Sequence, residues 1–508
     1  MSVELAHAFP LIFAGLAGLL LLAVDMFSKE RPPLPELAAA SALVTLALSI
    51  VVRLSFMSAT GGATAGPGLL GGVALSDHFV SDNAALVADL AIGIGVVFAA
   101  LLGGRYLRIH RIERGEYYAL LLFAQIGAMV FARASSGLGF FVGLELMSLA
   151  LYGLVAFRRT SVRSVEAGLK YFFAGSLAGA IGLFGFALLY VATGSLTFAG
   201  IAAGLTEPGA GGVGVSATVS VLGVGAVLAA VLFKLAVFPF HAWAPDTYEG
   251  APTPAVLVAA VAVKASTVMV LLRLLLALGT DPLWHTGVKA LPWALGLFAV
   301  LALLVGNFGA FSQQNVKRML AFSSIAHGGY LLAALAVAAL VAMPEVLSIL
   351  GWYVVAYALG LSLTLGGLMA LGRTGAEPVH LDDLRGAFAQ APLPASAMAV
   401  GLLTLLGMPL TPGFIGKLGL IVATFGLGSE GVWLAVAIVA GSVVSAGYYL
   451  PVTISLFRRA PEAAREAAAA PNASAPALGF PRLSLSLLAA LALTAAAGLA
   501  PFLFSSLL

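Results

Sequence analysis

The feature that most constrains the fold of this chain is a succession of apolar segments, each long enough to cross a lipid bilayer. A spanning helix needs about 20 predominantly apolar residues, and these runs are continuous, unlike the alternating strands of membrane barrels. Charged residues make up 9% of the 508 residues, against about 25% in soluble proteins. The sequence therefore predicts an all-α polytopic membrane protein with fourteen spans, at 8–28, 36–57, 79–103, 115–133, 137–157, 165–192, 215–238, 253–279, 286–309, 318–342, 345–372, 393–426, 431–457 and 483–507.

The distribution of basic residues supports this number of spans. Seventeen Lys and Arg residues lie in loops that follow odd-numbered spans, and three lie in loops that follow even-numbered spans. Because cytoplasmic loops carry the excess of basic residues, we expect both termini on the periplasmic side of a bacterial inner membrane.

Two of the predicted spans are interrupted by proline. Pro239 should end the seventh span at or before Phe238, because proline has no N–H to continue a helix. The twelfth span, 393–426, is too long for one simple helix, and Pro409 and Pro412 divide it. Interrupted helices at membrane depth are tolerated where protein or a water-filled cavity surrounds them. Two interrupted segments in corresponding parts of a chain indicate a transport site.

Four ionisable residues lie deep inside otherwise apolar spans: Glu145, Lys234, Lys264 and Lys417. A charge near the bilayer centre costs about 2.5–3.5 kcal/mol on insertion scales, so such residues usually pair, face water or move ions. For Glu145 the alternative is an ion pair that locks two helices, and for Lys234 it is snorkelling toward the interface. Lys264 lies about twelve residues into its span, which is too central to snorkel. The pattern favours charge transport across a membrane.

Other polar residues are less informative. His327 could relay protons, since histidine titrates near neutrality, or it could be a hydrogen-bonded packing residue. Glu166 and Lys170 form an i,i+4 pair with either a structural role or a role in proton uptake, and Asp89 has no evident partner. The chain has no cysteine, which excludes cysteine-ligated iron–sulfur clusters and disulfides within it. No cluster has metal-ligand spacing.

Two stretches resemble the antiporter-like membrane subunits of respiratory complex I. Residues 233–254 read Phe-Lys-Leu-Ala-Val-Phe-Pro-Phe-His-Ala-Trp-Ala-Pro-Asp-Thr-Tyr-Glu-Gly-Ala-Pro-Thr-Pro, and residues 314–330 read Gln-Asn-Val-Lys-Arg-Met-Leu-Ala-Phe-Ser-Ser-Ile-Ala-His-Gly-Gly-Tyr. The Asp-Thr-Tyr-Glu-Gly-Ala-Pro-Thr-Pro part, together with Gly-Phe-Ile-Gly-Lys at 413–417, looks most like the subunit N branch, whose mitochondrial homologue is subunit 2. The resemblance extends over essentially the whole chain.

This resemblance implies an architecture and roles for the buried charges. It implies two inverted five-helix repeats, spans 4–8 and 9–13, in which spans 7 and 12 are broken. Glu145 would pair with Lys234, Lys264 would pass protons along a hydrated axis, and Lys417 would be the terminal donor or acceptor, with His327 near that axis. The expected divisions are a three-helix segment, the two repeats, and a linker with the last helix, at 1–114, 115–280, 281–459 and 460–508.

The resemblance also implies a function and partners. The chain would be a proton-translocating subunit of an NADH:quinone oxidoreductase and would bind no cofactor itself. NADH, FMN, iron–sulfur clusters and quinone would be bound by other subunits, and the neighbours would include M-, K- and J-like chains. The alternatives are a subunit of a multi-chain cation/proton antiporter or membrane-bound hydrogenase, or a passive scaffold whose charges hold helices together.

Overall fold

The protein is an all-α polytopic membrane protein, as the sequence predicts. The computed structural model describes residues 3–28, 32–59, 72–206, 217–279, 290–340, 344–372, 377–459 and 481–499. Within these ranges, twelve helices are long and apolar enough to cross a membrane. Residues 460–480, the first part of the predicted segment 460–508, lie outside the described residues.

The described helices are numbered in chain order. The first part of the chain contains α1 (Val3–Phe27), α2 (Leu34–Ala59), α3 (Asn83–Ile109), α4 (Gly115–Ala132), α5 (Gly137–Val155), α6 (Val162–Thr193), α7 (Phe198–Thr206), α8 (Ala217–Leu235) and α9 (Trp243–Gly250). The second part contains α10 (Thr253–Gly279), α11 (Ala290–Phe311), α12 (Val316–Leu340), α13 (Pro344–Leu371), α14 (Ala387–Gln390), α15 (Pro392–Leu406), α16 (Pro412–Phe425), α17 (Val432–Phe457) and α18 (Pro481–Leu499).

The seventh predicted span is broken where the sequence places Pro239. Helix α8 ends at Leu235 and α9 begins at Trp243. Ala236 has a φ of 55°, a left-handed conformation that an α-helix does not contain. The Nε1 of Trp243 donates a hydrogen bond to the carbonyl of Phe233 at 2.9 Å. The indole therefore links the two half-helices across the break.

The twelfth predicted span is two half-helices, which confirms the expectation from Pro409 and Pro412. Gly407 follows α15 with a φ of 82°, and its N–H bonds to the carbonyls of Leu403 and Thr404. Glycine adopts this left-handed conformation without steric cost, which makes it the common residue after a helix C-terminus. Pro412 is the first residue of α16, where the missing N–H is not needed.

Burial separates central helices from peripheral ones. In their most apolar 18-residue windows, α10 is 100% buried, α12 is 94% buried and α13 is 89% buried, whereas α1 and α2 are only 33% buried. The long α6 and α17 are 39% buried, so most of their surface faces outward. The helices that carry Lys264 and His327 therefore form the centre of the molecule.

The structure corrects the predicted spans in places. The third span was expected to start at 79, but Phe79–Asp82 is strand β2, which pairs antiparallel with β1 (Gly72–Ser76). The side chain of Asp82 caps α3 by accepting a hydrogen bond from the N–H of Ala85 at 2.8 Å. The fourteen predicted spans correspond to the twelve long helices, the divided pair α15 and α16, and α18.

Candidate functional site

Lys234 lies one residue before the end of α8 and is 2% exposed. Its ammonium donates to the hydroxyl of Ser148 on α5 at 2.8 Å. Three aromatic rings surround it, with centroids 5.7 Å (Tyr152), 5.4 Å (Tyr171) and 5.8 Å (Phe233) from Nζ. Ring faces attract cations, and the attraction strengthens when water is excluded. The cage holds a buried ammonium group and leaves one polar direction, toward α5.

Glu145 lies on α5 one turn before Ser148 and is half-buried. Its carboxylate points toward α6, since a Cβ added at Gly179 would lie 2.6 Å from its Oε1. No ion pair within 4.0 Å joins it to Lys234 in the described part of the chain. In this conformation the ammonium of Lys234 therefore bonds to Ser148 in place of Glu145.

Lys264 lies near the middle of α10 and is 3% exposed. Its ammonium donates to the carbonyl of Leu235 at 3.0 Å, and Leu235 is the last residue of α8. The final carbonyls of a helix lack intrahelical donors and carry the negative end of the helix dipole. The break in the seventh span therefore creates the acceptor for this lysine, which the sequence could not reveal.

Lys417 is held in the same way at the second break. It lies on α16, is 5% exposed and donates to the carbonyl of Leu406 at 2.8 Å. Leu406 is the last residue of α15. The ring centroid of Tyr330 lies 4.7 Å from Nζ. Each broken span thus offers the terminal carbonyl of its first half-helix to a buried ammonium group.

His327 and Lys417 line the same small cavity. Its Nδ1 is 2.8 Å from the hydroxyl of Tyr353, and its Nε2 is 3.2 Å from the hydroxyl of Tyr449. His327, Tyr353, Tyr357 and Lys417 line a cavity that offers about 10 Å³ to the centre of a water molecule. This volume is close to the minimum for one water. The histidine and the lysine therefore face one potential water position.

Glu166 and Lys170 belong to a larger surface network than the predicted i,i+4 pair. Lys170 bonds to Glu166 at 2.7 Å and to Asp246 on α9 at 2.8 Å. Arg318 of α12 bonds to Asp246 at 2.8 Å and to Glu249 at 3.0 Å. These side chains are about one third to one half exposed. The network connects α6, α9 and α12 at the surface, and none of these ion pairs involves Lys234, Lys264 or Lys417.

Sequence reasoning missed two buried ion pairs. Asp89, for which no partner was expected, receives two hydrogen bonds from Arg133, at 2.8 and 2.6 Å. Arg133 is the C-cap residue of α4 and is 3% exposed. Arg273 of α10 bonds in the same bidentate manner to Asp82. Both pairs satisfy their charges and tie α3 to neighbouring helices.

The three buried lysines differ from these arginines in what holds them. In the described part of the chain, no carboxylate lies within 4.0 Å of Lys234, Lys264 or Lys417. Their hydrogen-bond acceptors are a hydroxyl and two carbonyls, which are neutral. A buried amine with a neutral acceptor can lose or regain its proton without leaving an uncompensated anion behind. Chemically, the arrangement suits proton transfer. The described residues contain no group of His, Asp and Glu suited to a metal ion.

Residues 134–445 match the family described as "NADH:quinone oxidoreductase/Mrp antiporter, TM". NADH-quinone oxidoreductase subunit N 1 of Sorangium cellulosum is 40% identical over 464 residues, which cover 89% of each chain. The subunit N 1 of Herpetosiphon aurantiacus is 34% identical over 497 residues, which cover 97% of this chain and 94% of that one.

Solved structures show the same relationship. A chain of respiratory complex I from Thermus thermophilus superposes with a TM-score of 0.74 at 30% identity and covers 98% of both chains. A chain of an archaeal membrane-bound sulfane sulfur reductase has a TM-score of 0.80 over 99% of this chain and 96% of that one, but at 22% identity this likeness shows the fold alone. The chain therefore belongs to the NADH:quinone oxidoreductase/Mrp antiporter family, within its branch of NADH-quinone oxidoreductase subunit N proteins.

Proposed function

We propose that this membrane subunit of NADH-quinone oxidoreductase translocates protons along Glu145, Lys234, Lys264 and Lys417. The observation that carries the proposal is that the hydrogen-bond acceptors of the three lysines are neutral. Each is at most 5% exposed, and each donates to a hydroxyl or a carbonyl. A proton carrier must be stable in both protonation states, and a permanent salt bridge would oppose the uncharged one.

Lys317 offers a contrast within the same chain. It is also buried, at 4% exposure, and it also donates to a backbone carbonyl, that of Ala251, at 3.0 Å. In addition it bonds to the carboxylate of Glu377 at 3.3 Å. A lysine held by a carboxylate keeps its charge, which suits a structural role at the start of α12. The lysines at the helix breaks lack this anion.

The step at Lys234 depends on the carboxylate of Glu145. Electron transfer in other subunits changes the electric field at one end of the row of buried charges. In response, the carboxylate of Glu145 moves toward or away from the ammonium of Lys234. Its approach stabilises the charged form of Lys234, and its withdrawal removes that stabilisation. The hydroxyl of Ser148 donates its proton to the carbonyl of Leu144 and accepts from Nζ at 2.8 Å. It can hold the amine in either case, because a neutral amine still has N–H groups to donate.

Beyond Lys234 the proton passes through water to Lys264 and on to Lys417. His327 serves as an auxiliary group, since one water in the cavity that it shares with Lys417 would bridge them. Glu166 and Lys170 are auxiliary groups at the surface, where they collect protons near α9. The two inverted repeats, 115–280 and 281–459, would each contribute one broken helix to this path.

The energy for pumping comes from elsewhere in the complex. Relatives are named as subunits of NADH-quinone oxidoreductase, and the family resemblance implies that other chains of the assembly would bind NADH, FMN, iron–sulfur clusters and quinone. The expected neighbours are M-, K- and J-like membrane chains, and the expected location is the bacterial inner membrane. Both termini would then face the periplasm, because the basic loops favour the cytoplasmic side.

Replacing Lys234 with alanine tests the proposal. NADH-driven pumping into proteoliposomes should fall about 100-fold or more, the typical contribution of a lost acid–base group, while the subunit remains in the complex. Arg159→Ala is the control, because Arg159 is an exposed basic residue outside the row. Wild-type pumping by the Lys234→Ala complex would rule out this role for the lysine.

A further inference from the structure

Three buried hydroxyl groups from three helices meet beside the row of lysines. The hydroxyl of Tyr248 on α9 is 3.1 Å from that of Ser324 on α12. The hydroxyl of Tyr357 on α13 donates to the same serine at 3.1 Å. Their residues are 3%, 1% and 4% exposed. The proposed path along the lysines uses none of these hydroxyls.

One end of this group reaches the interior site. The side chain of Tyr357 lines the cavity shared by His327 and Lys417. Its ring centroid lies 6.0 Å from the Nζ of Lys264 and 5.0 Å from the ring of His327. Tyr357 therefore stands between the first and the second helix break.

The other end lies on the helix that carries two carboxylates of the surface network. Tyr248 lies on the eight-residue helix α9 together with Asp246 and Glu249, whose side chains are 36% and 30% exposed. Those carboxylates face Lys170 and Arg318 at the surface, whereas the tyrosine is buried against Ser324. A single short helix thus carries exposed acids on one side and a buried hydroxyl on the other.

We propose that Tyr248, Ser324 and Tyr357 form a hydroxyl chain that carries protons between the surface carboxylates of α9 and the cavity beside His327 and Lys417. This inference rests on the proposed function, because it supplies the uptake route for the same lysines. Each hydroxyl can accept one hydrogen bond and donate another. In a transfer, each oxygen receives a proton on one side and releases its own on the other, so the three groups end neutral with the direction of each hydrogen bond reversed.

The structure also explains why a serine stands at the midpoint. Ser324 contacts two tyrosines from different helices, and its small side chain has one rotatable hydroxyl that can face either of them. Tyrosine hydroxyls are held at the ends of rigid rings, so they fix the two ends of the chain. After each transfer, rotation of all three O–H groups about their C–O bonds restores the starting orientation.

The test uses the intact complex carrying Tyr248→Phe, which removes one hydroxyl and keeps the ring. Pumping driven by NADH should fall on the order of tenfold, less than for a lost acid–base group because a water can partly replace the hydroxyl. NADH oxidation by ferricyanide, which bypasses the membrane subunits, should be unchanged. Tyr117→Phe is the matched control: Tyr117 is 0% exposed, and its hydroxyl has no hydrogen-bond partner among the described residues.

Two further measurements separate a relay from simple packing damage. Ser324→Ala should give the same loss as Tyr248→Phe, and the double variant should be no worse than either, because a chain is broken only once; independent damage would instead add. Pumping by the single variants should also slow more in D₂O than pumping by the wild type. Wild-type pumping by Tyr248→Phe, or additive losses with an unchanged isotope effect, would overturn the hydroxyl chain.

The outcome is distinguishable from failure of the proposed function. If Lys264→Met abolishes pumping while Tyr248→Phe pumps normally, the lysine row stands and the hydroxyl chain is wrong. If Lys264→Met itself pumps normally, the proposed function fails, whatever the tyrosine variant does.

Discussion

Replacing Lys264 with arginine is expected to abolish NADH-driven proton pumping while the subunit remains assembled. Arginine keeps the positive charge and can still donate to the carbonyl of Leu235, which Lys264 contacts at 3.0 Å. Its guanidinium does not deprotonate in proteins. If the lysine only neutralised the end of α8, arginine would preserve its role. If the lysine must release a proton, arginine blocks the path, and pumping should fall by about 100-fold or more.

Lys317→Arg is the matched control for this substitution. Lys317 is a buried lysine on a neighbouring helix that also bonds to a carbonyl, but it is paired with Glu377. Arginine at position 317 should preserve pumping, because a salt bridge with Glu377 needs a positive charge but does not require release of a proton. Proton uptake by quenching of a pH-sensitive dye in proteoliposomes, normalised to the amount of complex, measures both variants. Equal pumping by Lys264→Arg and Lys317→Arg would show that the charge at Lys264 is structural.

Replacing Arg133 with alanine is expected to prevent stable assembly of the subunit. The change leaves the carboxylate of Asp89, whose side chain is 1% exposed, without the two hydrogen bonds that it receives. The carbonyl of Met129 also loses a donor. Removal of one partner of a buried ion pair costs about 3–5 kcal/mol, a large part of the 5–15 kcal/mol that stabilises a typical protein.

The double variant Asp89→Leu with Arg133→Met separates a missing charge partner from a missing contact. Replacement of a buried pair by apolar side chains of similar size is often neutral or stabilising. The double variant should therefore recover most of the subunit that Arg133→Ala loses, as seen on native gels of solubilised membranes and in the thermal stability of the purified complex. Wild-type levels of the single variant would contradict this account of the pair.

The parts of the fold that depend on local chemistry could be predicted from the sequence. The breaks near Pro239 and Pro412 follow from the missing N–H of proline, and apolar length sets the number of spans. The depth of Lys264 and Lys417 follows from the helical rise per residue. Strand β2 was missed because its four residues, Phe79–Asp82, directly precede an apolar helix and do not interrupt the hydropathy.

The partners of the buried charges could not be predicted, because they are distant in sequence. Asp82 meets Arg273, 191 residues later, and Lys264 meets the carbonyl of Leu235 only because α8 ends there. Hydropathy also gives no sign that Lys234 contacts Ser148 in place of Glu145. The resemblance supplied the candidate residues, whereas helix packing determined their contacts. The division of the chain into two inverted repeats, at 115–280 and 281–459, stays a prediction.

The central claim is that the lysines at the two helix breaks lie along a hydrated path inside the protein. A cryo-EM map of the intact complex, at a resolution that reveals ordered water, tests it most directly. The account predicts waters that connect Lys234, Lys264 and Lys417, including one in the cavity beside His327. Dry, separate pockets around these side chains, or ammonium groups that face lipid, would contradict it.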